Sequence, residues 1–291
     1  MFTKLLIITG TLIAAMLSAC AGSDATDRGV ALQRAETAGL SERTLPAGRF
    51  VLHGRLRAAP TGAPILAVFL EGDGVAWIDR ATPSRDPTPR RPIALALAAR
   101  SEMPAVAYVA RPCQWVTGDD RRGCDARWWT THRLAAEAIE AANEAIDALK
   151  REAGARSLLL VGHSGGGGLA ALVAARRSDV AGLITVAGVT DLGAWTALHR
   201  VSAMPDSLDP AAARAGWEGV PQIHFLGEDD TVVPPDAAAT WSGPSVVVPG
   251  TGHLDGWAAR WPALEQRALE SLGLDLPPPN GSTETFESPR T

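Results

Sequence analysis

The chain has 291 residues, 46% of them apolar and 20% charged, with 27 Lys and Arg against 32 Asp and Glu and a formal charge of −5. That balance is too apolar for a disordered protein and too acidic for a nonspecific nucleic-acid binder, and beyond the N-terminal segment no apolar run is long enough to span a bilayer. The length suits one globular domain near the upper size of a single core, or at most two small ones.

The first nineteen residues read as an address. Lys4 supplies a positive start, Leu5 to Leu17 an apolar stretch too short to cross a membrane, and Leu17-Ser18-Ala19-Cys20 a small-residue cleavage site ending in cysteine. This segment resembles a bacterial lipoprotein signal. The resemblance implies that Cys20 carries lipid and becomes the mature N-terminus, anchored to a membrane of the cell envelope and facing the periplasm or exterior. An ordinary secretory peptide cut near Ala19 is the alternative. Without residues 1–19, whose only charge is Lys4, the formal charge is −6. Such a surface repels phosphate backbones and anionic headgroups, so no nucleic-acid partner is expected and membrane attachment must come from the lipid. Residues 20–42 are polar and read as a tether.

From residue 43 to 275, short runs of Val, Ile and Leu alternate with Ala-rich segments of helical period, the pattern of an α/β domain whose mostly parallel sheet carries helices on both faces. Strands are predicted at Phe50 to Leu56, Ile65 to Leu70, Ala105 to Ala110, Ser157 to Val161, Gly182 to Val186, Gln222 to Leu226 and Ser245 to Val248. Helices are predicted at Pro92 to Arg100, His132 to Glu152, Gly166 to Arg177, Pro235 to Trp241 and Leu254 to Leu272. The two earliest strands follow one another without a helix, which predicts an antiparallel hairpin around Ala59-Pro60-Thr61-Gly62. Cys113 and Cys124 enclose a polar loop and, in an exported chain, pair as a disulfide; no nearby histidine completes a zinc site. The tail, residues 276–291, is rich in Pro, Ser, Thr and Asn without periodicity and reads as disordered.

The most informative stretch is Leu158-Leu159-Leu160-Val161-Gly162-His163-Ser164-Gly165-Gly166. An apolar strand runs into a helix through G-x-S-x-G, the nucleophile-elbow pattern, in which glycines two positions either side of the serine let strand and helix cross closely. Competing glycine-loop readings fail on chemistry. No lysine stands where a P-loop needs one, and Ser164 occupies the third glycine position of a dinucleotide fingerprint, so no cofactor is implied. A tight turn carrying a solvated serine is the structural alternative.

A serine needs a base, and the base an orienting acid. The strand ending at Leu226 runs into Gly227-Glu228-Asp229-Asp230-Thr231-Val232-Val233-Pro234, and the next into Pro249-Gly250-Thr251-Gly252-His253. Of six histidines, His253 alone sits in a glycine-flanked loop after a strand and before a helix, late in the chain; His163, inside the elbow, reads as packing there. The whole pattern, from about Phe50 to Leu272, resembles the α/β-hydrolase superfamily. That resemblance implies Ser164 as nucleophile, His253 as general base and Asp230 as the acid, with Asp229 and then Asp191 as the alternatives. It also implies an oxyanion hole from the backbone N–H of Gly165 and, in Glu71-Gly72-Asp73-Gly74, that of Asp73. Together with Arg111-Pro112-Cys113-Gln114, these segments look like a set of exported bacterial α/β-hydrolases.

The implied activity is hydrolysis of a small-molecule acyl ester or thioester through an acyl-enzyme, with no cofactor and no metal. Residues 190–220, containing Trp195, Met204 and Trp217, are expected to form a small cap, and Trp115, Trp128 and Trp129 to face the same crevice. A catalytically silent lipoprotein that uses the fold for binding is the second reading, and a structural envelope protein the third.

Overall fold

The computed structural model describes residues 27–241 and 243–274. The signal sequence, the lipid-bearing Cys20 and the C-terminal tail read from the sequence lie outside these residues.

The strands are β1 (Ser41–Ala47), β2 (Phe50–Arg57), β3 (Ile65–Leu70), β4 (Val106–Val109), β5 (Ser157–His163), β6 (Val180–Val186), β7 (Gln222–Gly227) and β8 (Ser245–Val248). They form one sheet in the order β1-β2-β4-β3-β5-β6-β7-β8. The pairs β1·β2 and β2·β4 are antiparallel, and every pair from β4 through β3 to β8 is parallel. Helices are α1 (Arg28–Thr37), α2 (Ile93–Ala98), α3 (Ala136–Ala153), α4 (Gly165–Ala174), α5 (Leu192–His199), α6 (Pro235–Trp241) and α7 (Trp257–Leu272).

Side chains of successive residues leave a strand on opposite sides, so one apolar run feeds two cores. Leu66, Val68 and Leu70 of β3, with Leu158 and Leu160 of β5, pack in the cluster that includes α3 and α4. Ala67 and Phe69, with Leu159 and Val161, pack in the cluster that includes α1, α2 and α7. Burial on both faces explains why these strands read as unbroken apolar runs rather than alternating ones.

Two sequence expectations are corrected here. The predicted hairpin between β2 and β3 does not form: β2 lies between β1 and β4, and the Ala59 to Gly62 segment carries the chain past β4 to β3. The true partner of β2 is β1, joined through the two-residue turn Gly48-Arg49 with Gly48 at φ +54, a conformation that suits glycine and the twist of a hairpin. Part of the supposed tether is also structured. Asp27 caps α1 by accepting from the Gly29 N–H at 3.0 Å, Ala31 and Ala35 bury one side of that helix, and β1 begins at Ser41. The sequence hid both elements. Only two alanines of α1 are buried, and β1 is an edge strand with a proline and mostly exposed positions, so neither carries an apolar rhythm.

Candidate active site

The carboxyl ends of β3, β5, β7 and β8 converge on one side of the sheet, and the loops that follow them carry the chemistry. At the end of β5 the chain turns into α4 through Ser164, whose φ of 53° and ψ of −124° lie in a region that costs a non-glycine residue on the order of 1–3 kcal/mol. Backbone bonds hold it there: Ser164 N–H donates to the Val186 carbonyl at 3.0 Å, and the Ser164 carbonyl accepts from Gly167 at 2.9 Å and Val189 at 3.0 Å. The flanking glycines are steric requirements. A Cβ on Gly162 would stand 2.2 Å from the Gly166 carbonyl oxygen, and one on Gly166 would stand 2.3 Å from that of Leu70.

The structure brings the three side chains singled out from the sequence together. His253 Nε2 lies 3.0 Å from Ser164 Oγ, and His253 Nδ1 lies 2.9 Å from Asp230 Oδ2. The second carboxylate oxygen, Asp230 Oδ1, accepts from the N–H groups of Val232 and Val233, both at 2.8 Å. Burial alone would push this carboxyl up, but the histidine bond, the histidine charge and the two N–H groups together hold it below the ordinary range. Its neighbours in the sequence do other work. Asp229 is exposed, and Asp191 caps α5 by accepting from the Ala194 N–H at 2.7 Å.

The loop after β3 lies against the elbow. A Cβ on Gly72 would sit 3.4 Å from that of Ser164, and one on Gly165 would meet the Asp73 carboxylate at 2.4 Å. Gly165 opens α4, where the first N–H groups of a helix have no partner within it. The loop is held from behind. Gln114 Nε2 donates to the Gly72 carbonyl at 3.0 Å, while its Oε1 accepts from Arg111 N–H at 3.1 Å. Gln114 follows Cys113, which is bonded to Cys124. Glu71, buried, accepts from Gly72 N–H at 2.9 Å, from Ala94 and Leu95 N–H at 3.3 and 3.4 Å, and from the Tyr108 hydroxyl at 3.2 Å. Burial pushes its carboxyl up to about 7 against the pull of those donors. Asp73 has burial working in the same direction, but the adjacent Arg133 and Arg111 charges overcome it and hold the carboxyl low.

His163 does more than pack. Its Nε2 lies 3.0 Å from the carbonyl oxygen of His253, so the residue before Ser164 fixes the backbone of the residue whose ring reaches the Ser164 hydroxyl. Burial, followed by the neighbouring His253 charge, lowers its pKa to about 3, which keeps the ring neutral and lets Nε2–H donate. Nothing in the sequence distinguished this histidine, because the central positions of the elbow motif accept many residues.

A pocket of about 460 Å³ opens beside Ser164 and His253. Trp77, Trp195, Val232 and Leu254 give it apolar walls, and Arg90, Arg91 and Arg133 also line it. Of the expected cap residues only Trp195 reaches this space. Trp217 is buried in the core with its indole N–H on the Pro210 carbonyl at 2.9 Å, and Met204 packs on the same core. Trp115, Trp128 and Trp129 do not line it: the last two are buried, and Trp115 stacks on His53 with ring centres 5.6 Å apart. Trp77, Arg90 and Arg91 were missed because they stand in loops without periodic pattern, and Arg133 because it read as the start of a helix that begins only at Ala136.

No family model matches the chain, and no curated protein sequence matches it. Solved structures do. A puromycin hydrolase superposes with a TM-score of 0.55 at 19% identity, over 81% of this chain and 40% of that one, so this chain spans about two fifths of that protein. An alpha-beta serine hydrolase homologue from Coxiella burnetii superposes at 0.52 with 15% identity over 80% and 97% of the two chains. Est1E from Butyrivibrio proteoclasticus gives 0.52 and 15% over 80% and 99%. The sheet order, the elbow and these superpositions agree that the chain has the α/β-hydrolase fold.

Proposed function

We propose that this protein is a serine hydrolase that cleaves an acyl ester or thioester through an acyl-enzyme, with Ser164 as nucleophile, His253 as general base and Asp230 as the orienting acid. The observation that carries the reading is one imidazole spanning Ser164 Oγ at 3.0 Å and Asp230 Oδ2 at 2.9 Å. With the Nδ1 proton directed at Asp230, Nε2 is free to accept the serine proton as Oγ attacks the carbonyl carbon. The protonated ring then delivers that proton to the leaving oxygen or sulfur. Water repeats the sequence to release the acid. The N–H groups of Gly165 and Asp73 receive the oxyanion, helped by the positive end of α4. The same machinery serves amide cleavage, so the leaving group is left to experiment. On the sequence reading, lipid on Cys20 holds the enzyme in the cell envelope.

The test is covalent labelling by a fluorophosphonate probe. Wild-type protein should be labelled and Ser164→Ala should not; equal labelling of the two defeats the nucleophile assignment. A series of p-nitrophenyl esters of increasing chain length, with Ser164→Ala as control, then reads the acyl preference.

A further inference from the structure

The pocket beside Ser164 contains more charge than an apolar acyl group requires. Its carboxyl groups are all engaged. Asp73 accepts from Arg111 Nη1 at 3.1 Å and Arg133 Nη1 at 2.6 Å, and Glu71 has its three N–H donors and Tyr108. The cations are engaged only in part. Arg91 pairs with Asp255 and donates to the Leu254 carbonyl. Arg133, only 7% exposed, donates through Nη1 to Asp73 and through Nε to the Thr130 carbonyl at 2.9 Å. Among the described residues nothing accepts from its Nη2. Arg90, on the segment before α2, lines the same pocket with an exposed side chain that has no acceptor among the described residues.

Arg133 lines the pocket and its Nη2 keeps access to solvent, so an anion entering there would exchange water for a charge-assisted hydrogen bond. We infer that Arg133 and Arg90 form a subsite for a carboxylate carried by the ester that Ser164 attacks; the inference rests on the serine-hydrolase reading. The ligand it describes is an ester with an apolar stretch lying along Trp77, Trp195 and Leu254 and a carboxylate that reaches the arginines. One open guanidinium and one open nitrogen suit a single negative charge, and the Asp73 carboxylate beside them disfavours a dianionic phosphate.

The test compares matched esters on the mature protein. On the acyl side the pair is mono-p-nitrophenyl adipate and p-nitrophenyl hexanoate; on the leaving-group side it is 4-carboxyphenyl and 4-acetamidophenyl hexanoate. The carboxylate member of at least one pair should have a kcat/KM about tenfold higher, as expected of a charge-assisted contact, and added salt should shrink the ratio. Arg133→Gln and Arg90→Gln should each reduce that ratio several-fold. Arg90→Gln is the safer variant, since Arg133 also holds Asp73. Fluorophosphonate labelling of Ser164 is read in parallel. Labelled protein with no carboxylate preference in either pair, or with a preference that both variants retain, overturns the subsite and leaves the nucleophile standing. Wild-type protein that is not labelled overturns both.

Discussion

At the scale of single residues, the orientation of His253 depends on how Asp230 divides its two oxygens. Oδ1 faces two backbone donors, from Val232 and Val233, and Oδ2 faces the imidazole. In Asp230→Asn the two N–H groups would claim the amide oxygen, turning the NH₂ toward His253 Nδ1. The ring would then have to accept there and carry its proton on Nε2, the wrong tautomer for taking a proton from serine. We expect kcat to fall on the order of 10³- to 10⁴-fold with little change in folding, read by steady-state kinetics and a urea melt. A fall of less than tenfold would remove Asp230 from the proposed machinery. His163→Phe keeps the packing but removes the donor to the His253 carbonyl. It should lower kcat by about one to two orders of magnitude with KM nearly constant, since misplacing a base by an ångström is that costly. An unchanged kcat would make His163 a packing residue only. The meeting of Ser164, His253 and Asp230 was legible because glycine-rich turns after apolar strands mark where side chains can converge at one end of a sheet. Arg133, Gln114 and His163 were not, because what matters about them is the partner each meets, and those partners are remote in sequence.

The elements that shape the site were read unevenly, for physical reasons. Buried parallel strands such as β3 and β5 announce themselves as apolar runs. The edge strand β1, pairing through polar residues, does not. The mistaken hairpin followed from this omission, for without β1 the nearest partner for β2 was the next strand along the chain. The crossing of β5 and α4 makes a sharper prediction. Gly166→Ala would place a methyl 2.3 Å from the Leu70 carbonyl oxygen, a strand backbone atom fixed by its ladder. The variant should lose about 1–3 kcal/mol of stability in urea titration, along with most of its activity. Wild-type stability in that variant would mean that the sheet gives way more easily than its pairing suggests.

For the whole molecule, three buried histidines set the response to acid. Burial, followed in His163 by the charge of His253 and in His224 by that of Arg214, lowers their pKa values to about 3 and about 4, and burial lowers that of His53 to about 4. The folded state therefore stays unprotonated where the unfolded chain binds protons, so stability falls as pH drops from about 6.5 toward 4. Glu71 opposes this: with its folded value raised to about 7, its contribution is lost as pH rises from about 4.5 to 7. Buried Glu265, whose carboxyl pKa burial also raises, acts in the same sense as Glu71, and the three histidines outweigh the two carboxyls. The urea midpoint should be lower at pH 5 than at pH 7, at about 1.4 kcal/mol per unit for each net proton, and Glu71→Gln should enlarge that difference. A midpoint that rises on acidification would contradict this balance. A last consequence concerns orientation. The described chain begins beside the pocket, with Arg28 N–H on the Arg90 carbonyl at 2.8 Å and its guanidinium on those of Pro89 and Thr88. The stretch from Cys20 to Asp27 can reach at most about 25 Å. A fatty anchor at Cys20, where the sequence reading puts one, would keep the side of the domain on which Arg28 meets Arg90 within that distance of the bilayer.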